Sequence, residues 1–247
     1  MSDLLAGKGR LWVYCPQASQ GALSLLTALK QQGLRVLRLR GLAPRRGFLK
    51  GDKVICWGNH HPGVPEGVTL LLNNPPLIGK LTELQLLAKE GVSVPPHRAG
   101  IVEGWLGRTS NHHEGDDLLY PIDPRTISFS TQKLDVVREF RVHVLGGKSI
   151  RVGERRPRQE NHHPWIRSHQ AGWGIYYDAA AHEGFRGKGR ELAKKAVDVL
   201  QLPFAAVDLW LLADGTWVIG EVNRRPGIEG NTVAKYVEKV LELLVQE

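Results

Sequence analysis

Two carboxylates and a carboxamide stand close together in the stretch "AAVDLWLLADGTWVIGEVNRRPG", residues 205–227. It reads as an apolar strand, a turn at Asp214-Gly215, a second apolar strand and a polar end. The turn folds one strand back on the other. Asp208 on the first then faces Glu221 and Asn223 on the second. Side chains alternate along a strand, so Glu221 and Asn223, two residues apart, share a face. Hard oxygen ligands grouped this way suit Mg²⁺, which takes one or two carboxylates and completes its shell with substrate phosphates. Arg224 and Arg225 follow at once and suit anionic oxygens on the same substrate. The same residues also fit another arrangement, with Asp208 and Glu221 as salt-bridge partners of nearby arginines in a structural network.

A second charged constellation lies upstream, in "RVGERRPRQENHHPWIRSHQ", residues 151–170. Arg151, Arg155 and Arg167 fit charge clamps on a transferred phosphate and a substrate carboxylate. Arg156 and Arg158 read as a solvated charged loop. Histidine doublets occur at 60–61, 112–113 and 162–163. They lack the i, i+4 spacing of a zinc helix and have no cysteine partners nearby, so a histidine metal site is not expected. Trp57, Trp105, Trp165, Trp173, Trp210 and Trp217 read as core or sheet packing. They form no clear stacking stripe, which disfavours nucleic acid as a partner.

The elements that must position these groups fall into two halves. In the first, "RLWVYCP" is a strand and "SQGALSLLTALKQQG" a helix with Ser19 as N-cap and Gly33 as stop. "LRVLRLR", "DKVICWG" and "VTLLLNN" are further strands, so this half is an α/β unit with a largely parallel sheet. "GKLTELQLLAKEG" is an amphipathic helix and "VSVPPH" its extended exit, with a domain boundary near residue 97. In the second half, "LLYPI" and "ISFSTQKL" are short strands. "FRVHVL" and "SIRVGE" form a hairpin over Gly146-Gly147. "GRELAKKAVDVLQL" and "TVAKYVEKVLELLVQE" are helices. Hairpins interleaved with helices predict an α+β domain dominated by antiparallel sheet. The expected division is 1–97 and 98–247.

The chain has 247 residues and a formal charge of +8. That length supplies a substantial core. The basic balance favours anionic partners, or serves a solvated surface. No apolar run approaches the ~18 residues of a membrane span. "MSDLLAGKGR" has no signal-peptide core, so a cytoplasmic protein with no membrane contact is expected. Cys15 and Cys56, in apolar strands, are read as buried free thiols.

The order Asp208, hairpin, Glu221-Val-Asn223, Pro226-Gly227 resembles the C-terminal signature of ATP-grasp proteins. The resemblance implies an ATP-grasp fold with an N-terminal Rossmann-like domain, and Asp208, Glu221 and Asn223 holding two Mg²⁺ ions (Mn²⁺ being the alternative) on the phosphates of ATP. "REFRVHVLGGKSI" looks like the family's nucleotide hairpin, with Glu139 and Arg141 lining the pocket. "NNPPLIGKLTELQLLAKEGVSVPPH" resembles the segment in which a lysine opens a helix, so Lys80 would contact phosphate. "SFSTQKL" sits where the family has its adenine-binding linker, which points to Gln132, Lys133 and Leu134. "PGIEGNTVAKYVEKV" and "WIRSHQAGW" look like small phage-encoded members.

Two departures stand out. The region of the glycine-rich flap reads "LGRTSNHHEGDDLL", with Arg108 in place of the family's lysine and Gly115 alone inside the loop. Loops that cradle phosphate with backbone amides normally need glycines. Some amide-forming members also have an arginine two residues before the first metal-binding Asp; here it is Ala206, which leaves oxyanion stabilisation to Arg225. The resemblance implies a carboxylate–amine ligase using ATP and Mg²⁺ through an acyl phosphate, with Arg141, Arg155, Arg167 and Arg225 as catalytic groups. The alternatives are a kinase-like phosphotransferase and a non-catalytic nucleotide-binding or scaffold protein. The small carboxylate and amine substrates and the oligomeric state are not specified by the sequence.

Overall fold

The computed structural model describes residues 9–109, 123–178, 181, 185 and 188–246. Expectations for "SNHHEGDD" and "LLYPI", including His112, His113 and Gly115, lie outside the described residues. Two compact units divide the chain as Met1–Leu77 with Gln201–Ala206 and Asn223–Glu247, and Ile78–Leu200 with Val207–Val222. This partition differs from a single cut near residue 97: the segment 78–97 falls in the second unit, and the chain returns to the first twice.

In the first unit, apolar four-residue strands β1 (Leu11–Tyr14), β2 (Val36–Leu39), β3 (Lys53–Cys56) and β4 (Thr69–Leu72) form a sheet in the order β2-β1-β3-β4. Its strand pairings are all parallel. Helix α1 (Gln20–Gln31) begins where Ser19 Oγ accepts from Ala22 N at 3.3 Å. It ends before Gly33, whose φ of +82° suits glycine. Trp57 stacks on Phe204 at 4.7 Å and tilts against Tyr236 of the last helix, α4 (Asn231–Val245), which also contacts α1. Cys15 and Cys56 are buried free thiols. Burial pushes Cys56 up to about 12, so it stays a thiol.

The second unit opens with helix α2 (Lys80–Lys89). Strands β5 (His97–Ala99), β6 (Leu106–Arg108) and β7 (Phe129–Thr131) make a three-stranded antiparallel sheet, β5-β7-β6. Longer strands β8 (Val136–Leu145), β9 (Lys148–Pro157), β10 (Trp173–Tyr176), β11 (Phe204–Leu212) and β12 (Trp217–Asn223) form a second sheet, β10-β9-β8-β11-β12. Gly146 and Gly147 both have positive φ, the backbone a tight hairpin requires, and they join β8 to β9. At the β11–β12 turn, Gly215 has φ +84° and Asp214 Oδ1 accepts from Thr216 N. Helix α3 (Lys188–Val199) buries Ala193, Ala196 and Val197, as its period predicts. Phe140, on the inner face of β8, packs on Phe185 and Trp217.

Candidate functional site

Strand alternation sorts β8 into two faces. Phe140, Val142 and Val144 are buried in the core, while Glu139, Arg141 and His143 share the opposite face. Antiparallel register sets Glu139 opposite Arg155, Arg141 opposite Gly153 and His143 opposite Arg151. On the other side of β8 runs β11, whose central residue is Asp208. Six ionisable side chains from three strands thereby meet on one sheet face.

Arg141 grips Asp208 as a fork: Nε donates to Oδ1 at 2.6 Å and Nη2 to Oδ2 at 2.7 Å. Arg155 Nη2 reaches Asp208 Oδ2 at 3.3 Å, and its Nε lies 2.7 Å from Glu139 Oε1. The second is a charge contact, not an aligned hydrogen bond, because Arg155 Nε has no hydrogen-bond partner among the described residues. Burial pushes the Asp208 carboxyl up, but the charge and hydrogen bonds of Arg141, then Arg155, outweigh it and hold it below the usual range. Glu139 goes the other way. Its burial dominates over Arg155, and the Asp208 charge adds to it, so it rises to about 7. Burial and then the Arg141 charge push His143 down to about 3, so it is neutral. Its Nε2 meets Tyr177 Oη at 3.0 Å. The Tyr177 ring needs the bare backbone of Gly153: a Cβ there would stand 2.7 Å from its Cε1.

A second group gathers at the start of α2. Lys80 Nζ donates to Glu221 Oε1 at 3.0 Å and to Val222 O at 3.4 Å, and lies 3.7 Å from Glu83 Oε2. Lys80, Arg108, Phe129, Trp210 and Glu221 line one narrow cleft of about 40 Å³ with walls from both sheets of the second unit. Trp210 lies across Gly220, where a Cβ would stand 2.3 Å from its Cε2. A roomier groove of about 530 Å³ between α1 and α4 is lined by no ionisable side chain among the described residues.

Asn223 ends β12, and its Oδ1 accepts from Arg225 N at 2.9 Å. Gln132 and Lys133 are exposed in the link from β7 to β8. The Gln132 amide is already donated to Pro96 O at 2.9 Å, and Lys133 Nζ sits over the Trp165 ring at 4.6 Å. Leu134 is half-buried, and its carbonyl accepts from Val136 N. The Arg167 guanidinium donates to Val136 O and covers Trp173 at 4.9 Å. In the first unit, the Arg225 guanidinium meets Gln17 Oε1.

Several expectations are corrected. Arg224 is buried and donates to the carbonyls of Pro75 and Pro76 at 3.4 and 3.3 Å. Arg156 is not in a solvated loop. It lies on β9, bound to Glu154 and Asp178. Trp165 is 38% exposed, against its reading as core, and Trp210 is a cleft wall. Sequence reasoning also missed Glu83, which is 6% exposed beside Lys80. An acid at i+3 from Lys80 was the available signal. Among the described residues, no cluster of three or more His, Cys, Asp and Glu could hold a metal ion. Asp208 and Glu221 are instead held in ion pairs, the first by Arg141 and Arg155 and the second by Lys80; by chemical type alone, two carboxylates and a carboxamide are ligands that Mg²⁺ takes.

No family model matches the sequence, and no curated protein matches it. Solved structures do. The ATP-grasp ligase PsnB, complexed with its minimal precursor, superposes with a TM-score of 0.63 at 12% identity, covering 96% of this chain and 99% of that one. D-alanine–D-alanine ligase from Bacillus anthracis gives 0.62 at 13% identity, covering 96% of each chain. The same enzyme complexed with ATP gives 0.60 at 14%, covering 97% and 96%. The chain therefore has the ATP-grasp fold. Among the described residues, no helix is long and apolar enough to cross a membrane.

Proposed function

We propose that this chain is an ATP- and Mg²⁺-dependent carboxylate–amine ligase working through an acyl phosphate. The observation that carries the reading is the cleft between the two sheets of the second unit, with Lys80 and Arg108 beside Glu221. Likeness in fold to ligases solved with ATP, or with Mg and ADP, supports it.

Lys80 and Arg108 bind phosphate oxygens, and Gln132–Leu134 offer the base their backbone groups other than the Gln132 amide and the Leu134 carbonyl, which are engaged. Lys80 must leave Glu221 when a nucleotide widens the cleft, which frees that carboxylate. Asp208, Glu221 and Asn223 would hold Mg²⁺, and the ion would neutralise phosphate charge when bound. Arg141 and Arg155 steady the γ-phosphoryl group as a carboxylate oxygen attacks phosphorus. The bond to the β-phosphate oxygen breaks and ADP leaves with that electron pair. An amine then attacks the acyl carbon, phosphate departs with the C–O electrons, and the amine loses a proton. Arg167 and Arg225 are assigned to the charged intermediate.

ADP release with Mg²⁺ and a panel of carboxylic acids and amines tests the reading. A ligase gives ADP only when both co-substrates are present, together with a condensed product. A stable phosphorylated product without condensation marks a kinase-like transferase instead. If Glu221→Ala binds Mg–ATP and turns it over like the wild type, the metal assignment is wrong.

A further inference from the structure

The basic excess of this protein is confined to one segment. Eight of its 33 Lys and Arg, and none of its 25 Asp and Glu, lie between residues 10 and 51, so this stretch carries the whole +8 and the rest of the chain is balanced. Arg10 is neutralised by buried Asp52, and Arg38 Nη2 donates to Gln17 O. Arg35, Arg40, Arg45, Arg46 and Lys50 are exposed, and none forms an ion pair among the described residues. Arg35 and Arg40 flank β2, and the others lie along the loop that leaves it. Phe48 pins that loop against Trp12 at 5.9 Å, and Gly47 O accepts from Arg10 Nη2 at 2.8 Å.

Among the described residues, strand β2 is the open edge of the parallel sheet, bonded to β1 alone. Arg35 O and Leu39 O accept from Leu11 N and Cys15 N of the β1 side. Backbone groups alternate in direction along a strand, so those of Arg38 and Arg40 turn outward. Leu42 and Leu49, 54% and 53% exposed, flank the arginine pair. The aromatic residues of the segment, Trp12, Tyr14 and Phe48, are not exposed, so the surface offers no stacking platform for bases.

We propose that this edge binds an extended acidic peptide segment with interspersed apolar residues, added as a strand beside β2. Main-chain hydrogen bonds to the outward groups of Arg38 and Arg40 hold it. Its carboxylates face Arg40, Arg45 and Arg46, and its apolar side chains cover Leu42 and Leu49. Resting on the ligase reading, this makes the carboxylate substrate part of a peptide or protein, and the edge its recruitment site. The competing role for such a surface is protective, with charge on an edge strand preventing association.

The test uses the full chain and a fluorescein-labelled 12-residue peptide of alternating Glu and Leu, followed by anisotropy at several salt concentrations. The expected result is saturable binding that weakens with salt and falls at least ten-fold in Arg40→Glu/Arg45→Glu/Arg46→Glu. It is unchanged in Lys194→Glu/Lys195→Glu, a charge reversal on α3. Hydrogen exchange on the wild type provides a readout independent of variants: the amides of Arg38 and Arg40 gain protection with peptide. Equal binding by the triple variant, unprotected amides, or tighter binding of single-stranded DNA of matched charge each overturn the proposal. None of these readouts uses nucleotide, so failure to bind Mg–ATP would remove the ligase reading and leave this result standing.

Discussion

Arg141 and Asp208 meet fork to fork through hydrogen bonds of 2.6 and 2.7 Å, across 67 residues of sequence. Both are largely buried, at 18% and 9% side-chain exposure. A buried charge that loses its partner is costly, so this pair fixes what happens when either member changes.

Asp208→Ala strands Arg141 and weakens the hold on Arg155. It should cost about 3–5 kcal/mol of unfolding free energy, measured by urea melts of the protein without nucleotide. Asp208→Asn keeps the shape and is expected to fold. If Asp208 holds Mg²⁺, that variant should lose on the order of 10²-fold in ATP turnover, the scale of removing one preorganised charge-stabilising group. Turnover within two-fold of wild type would remove Asp208 from the metal set.

Glu139 makes stability depend on pH in an unusual sense. The unfolded carboxyl titrates near 4.5 and the folded one near 7. Between those values the folded state holds a proton that the unfolded state has released, so stability falls as pH rises from 4.5 to 7 and is level above. The loss is about 3 kcal/mol at most, from 1.36 kcal/mol per pKa unit. Glu139→Gln should match the wild type near pH 4.5 and exceed it at pH 8. Parallel curves for the two proteins across this range would contradict the burial argument.

Asp52 shows the opposite sign. Burial pushes it up, but hydrogen bonds from Arg10, from the Leu49 and Arg10 amides and from Trp12 Nε1 outweigh that and lower it from 3.8 to about 2. Its stabilisation is complete above 3.8 and disappears as pH falls through 2. Asp52→Asn should cost about 2 kcal/mol at pH 7, a gap that closes near pH 2. Acid titration followed by tryptophan fluorescence, with Trp12 as a local reporter, measures it.

Gly220 lets Trp210 lie flat over β12, leaving 2.3 Å to the position a Cβ would take. Gly220→Ala is expected to push the indole into the cleft and weaken binding of a fluorescent ATP analogue at least ten-fold. Adding Trp210→Ala should recover part of that loss. Equal affinity in Gly220→Ala and wild type would show that the ring is not a wall of the nucleotide site.

What the sequence determined by itself was local. Glycine pairs at 146–147 and Asp214-Gly215 set the hairpin turns because only a few residue types tolerate positive φ there. Apolar period defined α1 and α3, and alternation placed Glu139, Arg141 and His143 on one face of β8. The chemical types at Asp208, Glu221 and Asn223 were equally plain. Strand order decided the rest. Placing β8 between β9 and β11 brings Arg141 and Arg155 to Asp208, an encounter set by sheet topology and invisible to spacing along the chain. Similarly, Arg224 and Arg225 are neighbours in sequence but turn to different partners: the first to the carbonyls of Pro75 and Pro76, the second to Gln17. A side chain's type states what it can bind, and only the packed neighbours decide which of its possible partners is within reach.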